Sequence, residues 1–544
     1  MKQKLPVVKA PDSRRGFALL VVTVVVVLLT LAAASFMNSM VTEKQAAMMF
    51  GRDVEARMAA ESAVEFAACQ IALKATDKEV DLYHNPNTFY NHAMNESELP
   101  KGQIRFSVVV PNETGIEGSI PRSGLTCENS KFNINRLMEF DKDTDETTVP
   151  FTAISFIPNM TEDITNAILD WIDSDETARV GGAESITYEA RAIPYSARNA
   201  PMESIDELLQ IQGVTPALFY GEDANRNGTL DPNEDDGSER LPEDDADGEL
   251  DLGFRDFLTV SSRERLTLVT GDAKGEKKVN INSGILANSV YDPVEEAFDA
   301  DIAKFITAYR LTGNTKATSE EQGKLTIEQA EVAKWIQDNL SGKSEQSVTR
   351  NGLDLTKLPE ASFRSLYDLI DAEVESSVGV LVSPFQSSDP ARLMEQMLEL
   401  EDKLTYLDDE YIDGRININM APREVLLAMP NMTEAIADAI IDKRPKAVAG
   451  SVSTSTPAGR NSAVWLLAEG VVDLPTLKRL GPWLTVGGDV YSFQALGYFD
   501  QDGPTTRIEA IIDATKSPPR IIFQRDLTML GRGFEPSLLD GSIK

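Results

Sequence analysis

The sequence predicts an α+β protein with an interrupted plan. One long N-terminal helix is followed by a small antiparallel sheet, and a large all-α insertion of helix-hairpin-like repeats separates the sheet's first strand from its last three. Three observations predict this. An uncharged apolar run at 17–37 leads into a proline-free stretch of good helix formers at 38–75. A β-branched segment at 104–110 and three alternating segments at 490–499, 505–514 and 520–527 read as strands. Between them the pattern Asn-Ile-Asn recurs at 133–135, 280–282 and 417–419, each time ahead of a helical stretch.

The chain has 544 residues, with 87 acidic and 52 basic side chains and a formal charge of −35. That charge opposes general binding to nucleic acid, whose phosphates require a basic face. Two cysteines exclude a disulfide scaffold and a four-cysteine zinc site. The two histidines, His84 and His92, sit in an Asn-rich stretch that reads as a solvated loop. No G-x-S-x-G, H-E-x-x-H or P-loop pattern occurs, so no enzyme signature is present.

Residues 1–16 are basic, carrying Lys2, Lys4, Lys9, Arg14 and Arg15 against Asp12 alone. The 21 uncharged residues at 17–37 span roughly 31 Å as a helix, enough to cross a bilayer with the basic flank on the cytoplasmic side. A plain membrane anchor and a signal peptide cut after Ala32–Ala34 both fit this run. A third reading starts from Arg14-Arg15-Gly16-Phe17. A basic leader ending in Gly and followed by Phe resembles a class III, type IV pilin-like signal, which implies cleavage between Gly16 and Phe17 by a prepilin peptidase. Beyond the membrane, Ala59, Ala63, Phe66, Ala67 and Ile71 recur at helical spacing, so one face of the continuing helix is expected to pack on a domain.

The segment at 157–170 aligns with 429–442, sharing Pro-Asn-Met-Thr-Glu, with Thr161 and Thr433 as candidate N-caps. Three helical hairpins are expected. The third copy resembles a helix-hairpin-helix, but its turn is Asn431-Met432-Thr433, without the glycines that bring backbone N–H groups to a phosphate. Together with the acidic surroundings this favours a packing motif. Trp171 and Tyr195 read as core, and a Cys69–Cys127 pairing is left open.

Within the insertion, residues 222–251 hold 13 acidic and two basic side chains. Such a run is ordinarily a solvated loop. Here Asp223, Asn225, Asn227, Asp231 and Glu234 fall at positions 1, 3, 5, 9 and 12 of an EF-hand-type loop, with Gly228 at position 6 and the Thr229 backbone carbonyl at position 7. The spacing predicts a calcium site that staples the loop. Pro232 and Asp235-Asp236-Gly237 oppose a long exit helix, so a lone calcium loop is expected rather than a paired sensor. A partial second copy at 245–251 places Phe254 at its twelfth position and so lacks the closing carboxylate.

Taken together, the leader and helix RRGFALLVVTVVVVLL, the stretch ARMAAESAVEFA, the junction SKFNINRL, the segment at 167–214, GRININMAPREVLLAMP and the C-terminal strands resemble, in order, the K-type minor pseudopilins of type II secretion systems. The resemblance implies a leader at 1–16, a transmembrane helix at 17–37, a pilin-like domain formed by 38–131 and 476–544, and an inserted domain at 132–475. It implies a place at the tip of a periplasmic pseudopilus anchored in the inner membrane, with I- and J-type minor pseudopilins and the major pseudopilin as partners. Most pilins have Glu at the fifth mature position, where this chain has Val21. A buried intramembrane carboxylate is costly unless paired, and a tip subunit has no subunit above it to pair with. Two other readings stand beside this one: a membrane-anchored, calcium-dependent presentation protein, and a minor pilin of a related type IV pilus or DNA-uptake machine.

Overall fold

The computed structural model describes residues 13–74, 80–94, 102–111, 121–141, 149–239, 244–268, 275–284, 287–316, 323–324, 349–355, 357, 359–444, 460–499 and 503–534. Most of the basic leader, and Asp502 of the expected Asp502-Gly503 turn, lie outside these residues.

Helix α1 (Ser13–Lys74) runs unbroken for 62 residues, about 93 Å at the usual helical rise. Its large apolar residues from Phe17 to Val54 are exposed, and burial begins at Ala56. From there Ala56, Ala59, Ala60, Ala63, Val64, Ala67 and Ile71 form a buried stripe. Most of these side chains are single methyl groups, so the helix axis can approach a sheet closely.

That sheet has β1 (Ile104–Val110), β2 (Val490–Phe499), β3 (Thr506–Asp513) and β4 (Arg520–Asp526) in this order, with His92–Ala93 outside β1. All pairings between them are antiparallel, and Val109 of β1 faces Gln494 of β2. The strands after residue 490 thus form close to where the alternation places them. One face carries Phe106, Val108, Val110, Phe493, Ala495, Phe499, Ile508, Ala510 and Ile512 against the α1 stripe in one core. Gly497 lies at the closest approach, where a Cβ would stand 1.9 Å from the Ala56 carbonyl oxygen.

The intervening chain has its own core and forms three units built alike. Each opens on the Asn-Ile-Asn pattern and closes on a Leu-Thr dipeptide, and opening and closing residues pair in parallel. Asn133 faces Thr259, Asn280 faces Thr405, and Asn417 faces Thr485. The Asn oxygen accepts the N–H two residues on in every copy: Asn135 at 3.1 Å, Asn282 at 2.8 Å and Asn419 at 3.0 Å. The closing Thr hydroxyl does the same for Ser261, Leu407 and Gly487. Each unit contributes one principal early helix, α2 (Glu162–Ile172), α3 (Ala300–Thr312) or α4 (Glu434–Lys443).

Thr161 and Thr433 cap α2 and α4, accepting the Ile164 and Ile436 N–H groups at 3.2 and 3.3 Å. The turn ahead of each helix bends at Asn159 (φ 60°) and Asn431 (φ 64°). Asparagine tolerates this left-handed conformation, so it serves where a helix-hairpin-helix turn has glycine. The inserted region is helical but not purely so. Seven two-stranded ladders, most of them two residues long on each side, lie among its described residues. Segments that short carry no readable period, which is why a wholly helical insertion was expected.

Candidate metal-binding loop

The loop at 223–234 is shaped by its first carboxylate. Asp223 accepts the backbone N–H groups of Asn227 at 3.0 Å and Gly228 at 2.8 Å, folding the chain back over it. The turn requires left-handed backbone at Arg226 (φ 61°) and Gly228 (φ 70°). Asn227 then accepts the Thr229 N–H at 2.7 Å. From the far end Glu234 reaches back to accept the N–H groups of Asp231 at 3.0 Å and Asn225 at 3.4 Å. The Asn225 and Asn227 amides both donate to one oxygen of Asp231, at 2.5 and 3.1 Å. Asp223, Asn225, Asn227, Asp231 and Glu234 therefore converge, with Thr229 beside them.

The electrostatics of this cluster are unfavourable as it stands. Glu234 is 1% exposed and Asp223 9%. Burial pushes the Asp223 carboxyl up, against its backbone donors. Burial, reinforced by Asp223, pushes Glu234 up to about 7. The Asn225 side-chain oxygen is buried without a hydrogen-bond partner. A half-turn of the Asn225 amide brings its orphaned oxygen toward Asp231, adding to the carboxylate oxygens a donor of the kind hard divalent cations take.

The loop sits on the sheet face that α1 leaves open. The buried Arg507 of β3 donates to the Asn225 carbonyl, and Gln494 of β2 donates to the Arg226 carbonyl at 2.7 Å. The Asn227 amide also donates to the Gly533 carbonyl at 2.9 Å. Glu509 of β3 pairs with Arg255 and, at 3.8 Å, with Arg226. Between loop and sheet lies a cavity of about 110 Å³ bordered by Asp223, Arg226, Arg255, Asp256, Gln494 and Glu509. Sequence reasoning missed Arg507, Gln494 and Gly533 as supports of the loop. They lie in strands and a C-terminal segment far along the chain, and no local pattern links them to it.

The other singled-out residues fall as follows. The backbone at Gly16–Phe17 is helical and Phe17 is 71% exposed. The helix that begins here is long and apolar enough to cross a membrane. Cys69 is exposed and Cys127 buried, both as free thiols. Trp171 is buried and packs edge-on against Tyr188 and Tyr195. His92 is not a solvated side chain: its ring lies 4.9 Å from that of Phe66 and 5.0 Å from that of Phe106. His84 is half-buried and within 3.4 Å of the Ser123 hydroxyl. The long helix and β1 converge over this stretch, which its composition did not disclose.

Comparison with known proteins places two regions of the chain. Residues 130–220 match a family model described as type II secretion system protein K, and residues 416–464 match a second model of that description. The two matched regions fall in the first and third units, and the middle unit lies in neither. Protein K of Pectobacterium carotovorum subsp. carotovorum is 32% identical over 98 residues, which are 16% of this chain and 30% of the relative. Protein K of Klebsiella pneumoniae is 28% identical over 104 residues, 18% of this chain and 32% of that one. The chain thus spans about a third of the length of these curated relatives. A crystal structure of the GspK–GspI–GspJ complex from the type 2 secretion system of enterotoxigenic Escherichia coli aligns at 11% identity and a TM-score of 0.34, covering 90% of this chain and 99% of that one. The chain is similar to type II secretion system protein K; of the segments that carry the resemblance in the sequence, 167–214 and all but the first two residues of 414–430 lie inside the matched regions, while the leader helix and the C-terminal strands lie outside them.

Proposed function

We propose that this chain, with two regions similar to type II secretion system protein K, acts as a minor pseudopilin at the tip of a secretion pseudopilus. The observation that carries the reading is where the matches fall. They lie in two of three like units inserted into a helix-and-sheet head whose helix continues as a long apolar rod. In this role the molecule starts filament assembly and supports protein export across the outer membrane, without catalysis. Its partners are the I- and J-type minor pseudopilins and the major pseudopilin. Prepilin peptidase cuts between Gly16 and Phe17, the apolar part of α1 anchors the product in the inner membrane, and the head stands in the periplasm. Mass spectrometry of the mature protein tests this: a start at N-methylated Phe17 is expected, and an intact leader or cleavage after Ala32–Ala34 overturns it.

The same proposal assigns calcium to the loop. Asp223, Asn225, Asn227, Asp231 and Glu234 would hold it through side-chain oxygens and Thr229 through its carbonyl. The ion would supply positive charge to carboxylates that burial now penalises and so lock the loop onto the sheet. With millimolar free calcium and a dissociation constant typical of extracellular modules, the gain is roughly 0.4 to 1.4 kcal/mol. A melting temperature that rises with calcium in the wild type and not in Asp223→Ala/Glu234→Ala is expected. An unchanged calcium response in the variant removes the loop from this role.

A further inference from the structure

The cavity between the loop and the sheet is bordered by polar atoms that neither element uses. Three of its side chains carry a buried polar atom without a hydrogen-bond partner among the described residues: Gln494 its oxygen, Arg226 its Nη1 and Glu509 its Oε2. Gln494 is 3% exposed, and its amide nitrogen is held by the Arg226 carbonyl at 2.7 Å. Flipping the amide would satisfy the oxygen only by abandoning that carbonyl. The other oxygen of Glu509 is taken by Arg255. The Arg226 guanidinium lies over the Tyr220 ring, 4.3 Å from its centre. Its Nη1 stands 3.8 Å from Glu509 Oε2, too far for a hydrogen bond.

The rest of the wall is largely apolar and includes Val110, Leu252, Phe257, Met420 and Phe493. The volume of about 110 Å³ has room for roughly seven to eleven water-sized groups. An apolar wall with a few convergent polar atoms is the usual make-up of a small-molecule site. The open atoms are one cationic donor and two acceptors, one of them anionic. A simple anion would satisfy Arg226 and be repelled by Glu509, and a simple cation would meet the reverse. A zwitterion satisfies both. In an α-amino acid the carboxylate oxygen and the ammonium nitrogen lie roughly 3 Å apart by covalent geometry, close to the 3.8 Å between Nη1 and Oε2. The Arg226 and Glu509 side chains keep 13% and 14% exposure, so the cavity meets solvent at its charged end.

We propose that this cavity binds a free α-amino acid with a short apolar side chain. Its carboxylate takes the open Arg226 donor, its ammonium group takes the open oxygens of Glu509 and Gln494, and its side chain meets the apolar wall. The bordering residues come from the loop, from β2 and β3 and, through Met420, from the third unit. An occupant therefore ties the inserted region to the sheet by contacts that calcium in the loop would not make.

The test uses the full chain in detergent, near neutral pH and with calcium chloride held constant, and L-valine is the probe. About 10 mM L-valine is expected to raise the melting midpoint by a few degrees. N-acetyl-L-valine lacks the ammonium group and L-valinamide lacks the carboxylate, so each should need at least about tenfold more for the same rise. Arg226→Met keeps a stem over Tyr220 and removes the donor. Ser492→Leu fills the space from another bordering residue and leaves the three polar groups in place. Both substitutions should abolish the response to L-valine. A wild type that responds to none of the three compounds leaves the cavity to water and overturns the proposal. An equal response to L-valine and its blocked forms, or a response that survives both substitutions, overturns it as well.

Discussion

The two faces of the sheet are held by different physics. Against α1 the contact is apolar and close, alanine on one side and Phe, Ile, Val and Ala on the other, with Gly497 at the tightest point. On the opposite face Gln494, Arg507 and Glu509 hold the acidic loop through hydrogen bonds and ion pairs. The first contact depends on shape and is indifferent to salt or metal. The second is directional and responds to charge. One thin sheet therefore joins a rigid partner to a conditional one.

Three changes bring this contrast to experiment. The largest effect is expected from Gly497→Val. A branched side chain there collides with the Ala56 backbone, which cannot rotate away, and a loss of about 3 kcal/mol is expected. Denaturant unfolding of the soluble head measures it, and the loss should be the same with and without calcium. A wild-type midpoint would show that α1 does not seat as described. Next comes Glu509→Gln, which leaves Arg255 and Arg226 without their shared carboxylate. About 2 kcal/mol is expected for a largely buried pair. Unlike Gly497→Val, this change keeps the side-chain volume and removes only the charge, so a wild-type midpoint would mean that this face too is held by packing. The smallest effect, about 1 kcal/mol, is the calcium increment lost in Asp223→Ala/Glu234→Ala. Hydrogen exchange should locate that loss at the loop and on β3, with the α1 side of the sheet unchanged.

What the sequence disclosed follows the same line. Helix α1 was legible because an uncharged apolar run passes without proline into residues spaced by three and four, and the late strands because a period of 2 persists in them. The turn at 223–234 was legible because its oxygen-bearing side chains sit at fixed offsets within twelve residues. The partners of these elements were not. Nothing near Asn225 announces Arg507, and nothing near Val109 announces Gln494, since such contacts arise only once the chain returns. The Leu-Thr dipeptides closing the three units were invisible for a related reason: two-residue strands have no period. His92 was misread because its surroundings come from α1 and β1.

The Asn-to-Thr ladders also bear on how the chain reaches this state. Each ladder ties the first residues of a unit to its last, while the three units share one continuous core. Loop closure costs roughly 0.6 kcal/mol more for each doubling of length, and the unit at 416–485 is about half as long as those at 132–259 and 279–405. Contact order thus favours the C-terminal unit as the first to condense. The sheet requires the longest closure, since β2 must find β1 across all three units. Its early strand waits longest for a partner, and a chain stalled at that stage presents the bare edge of β1 to whatever strand arrives.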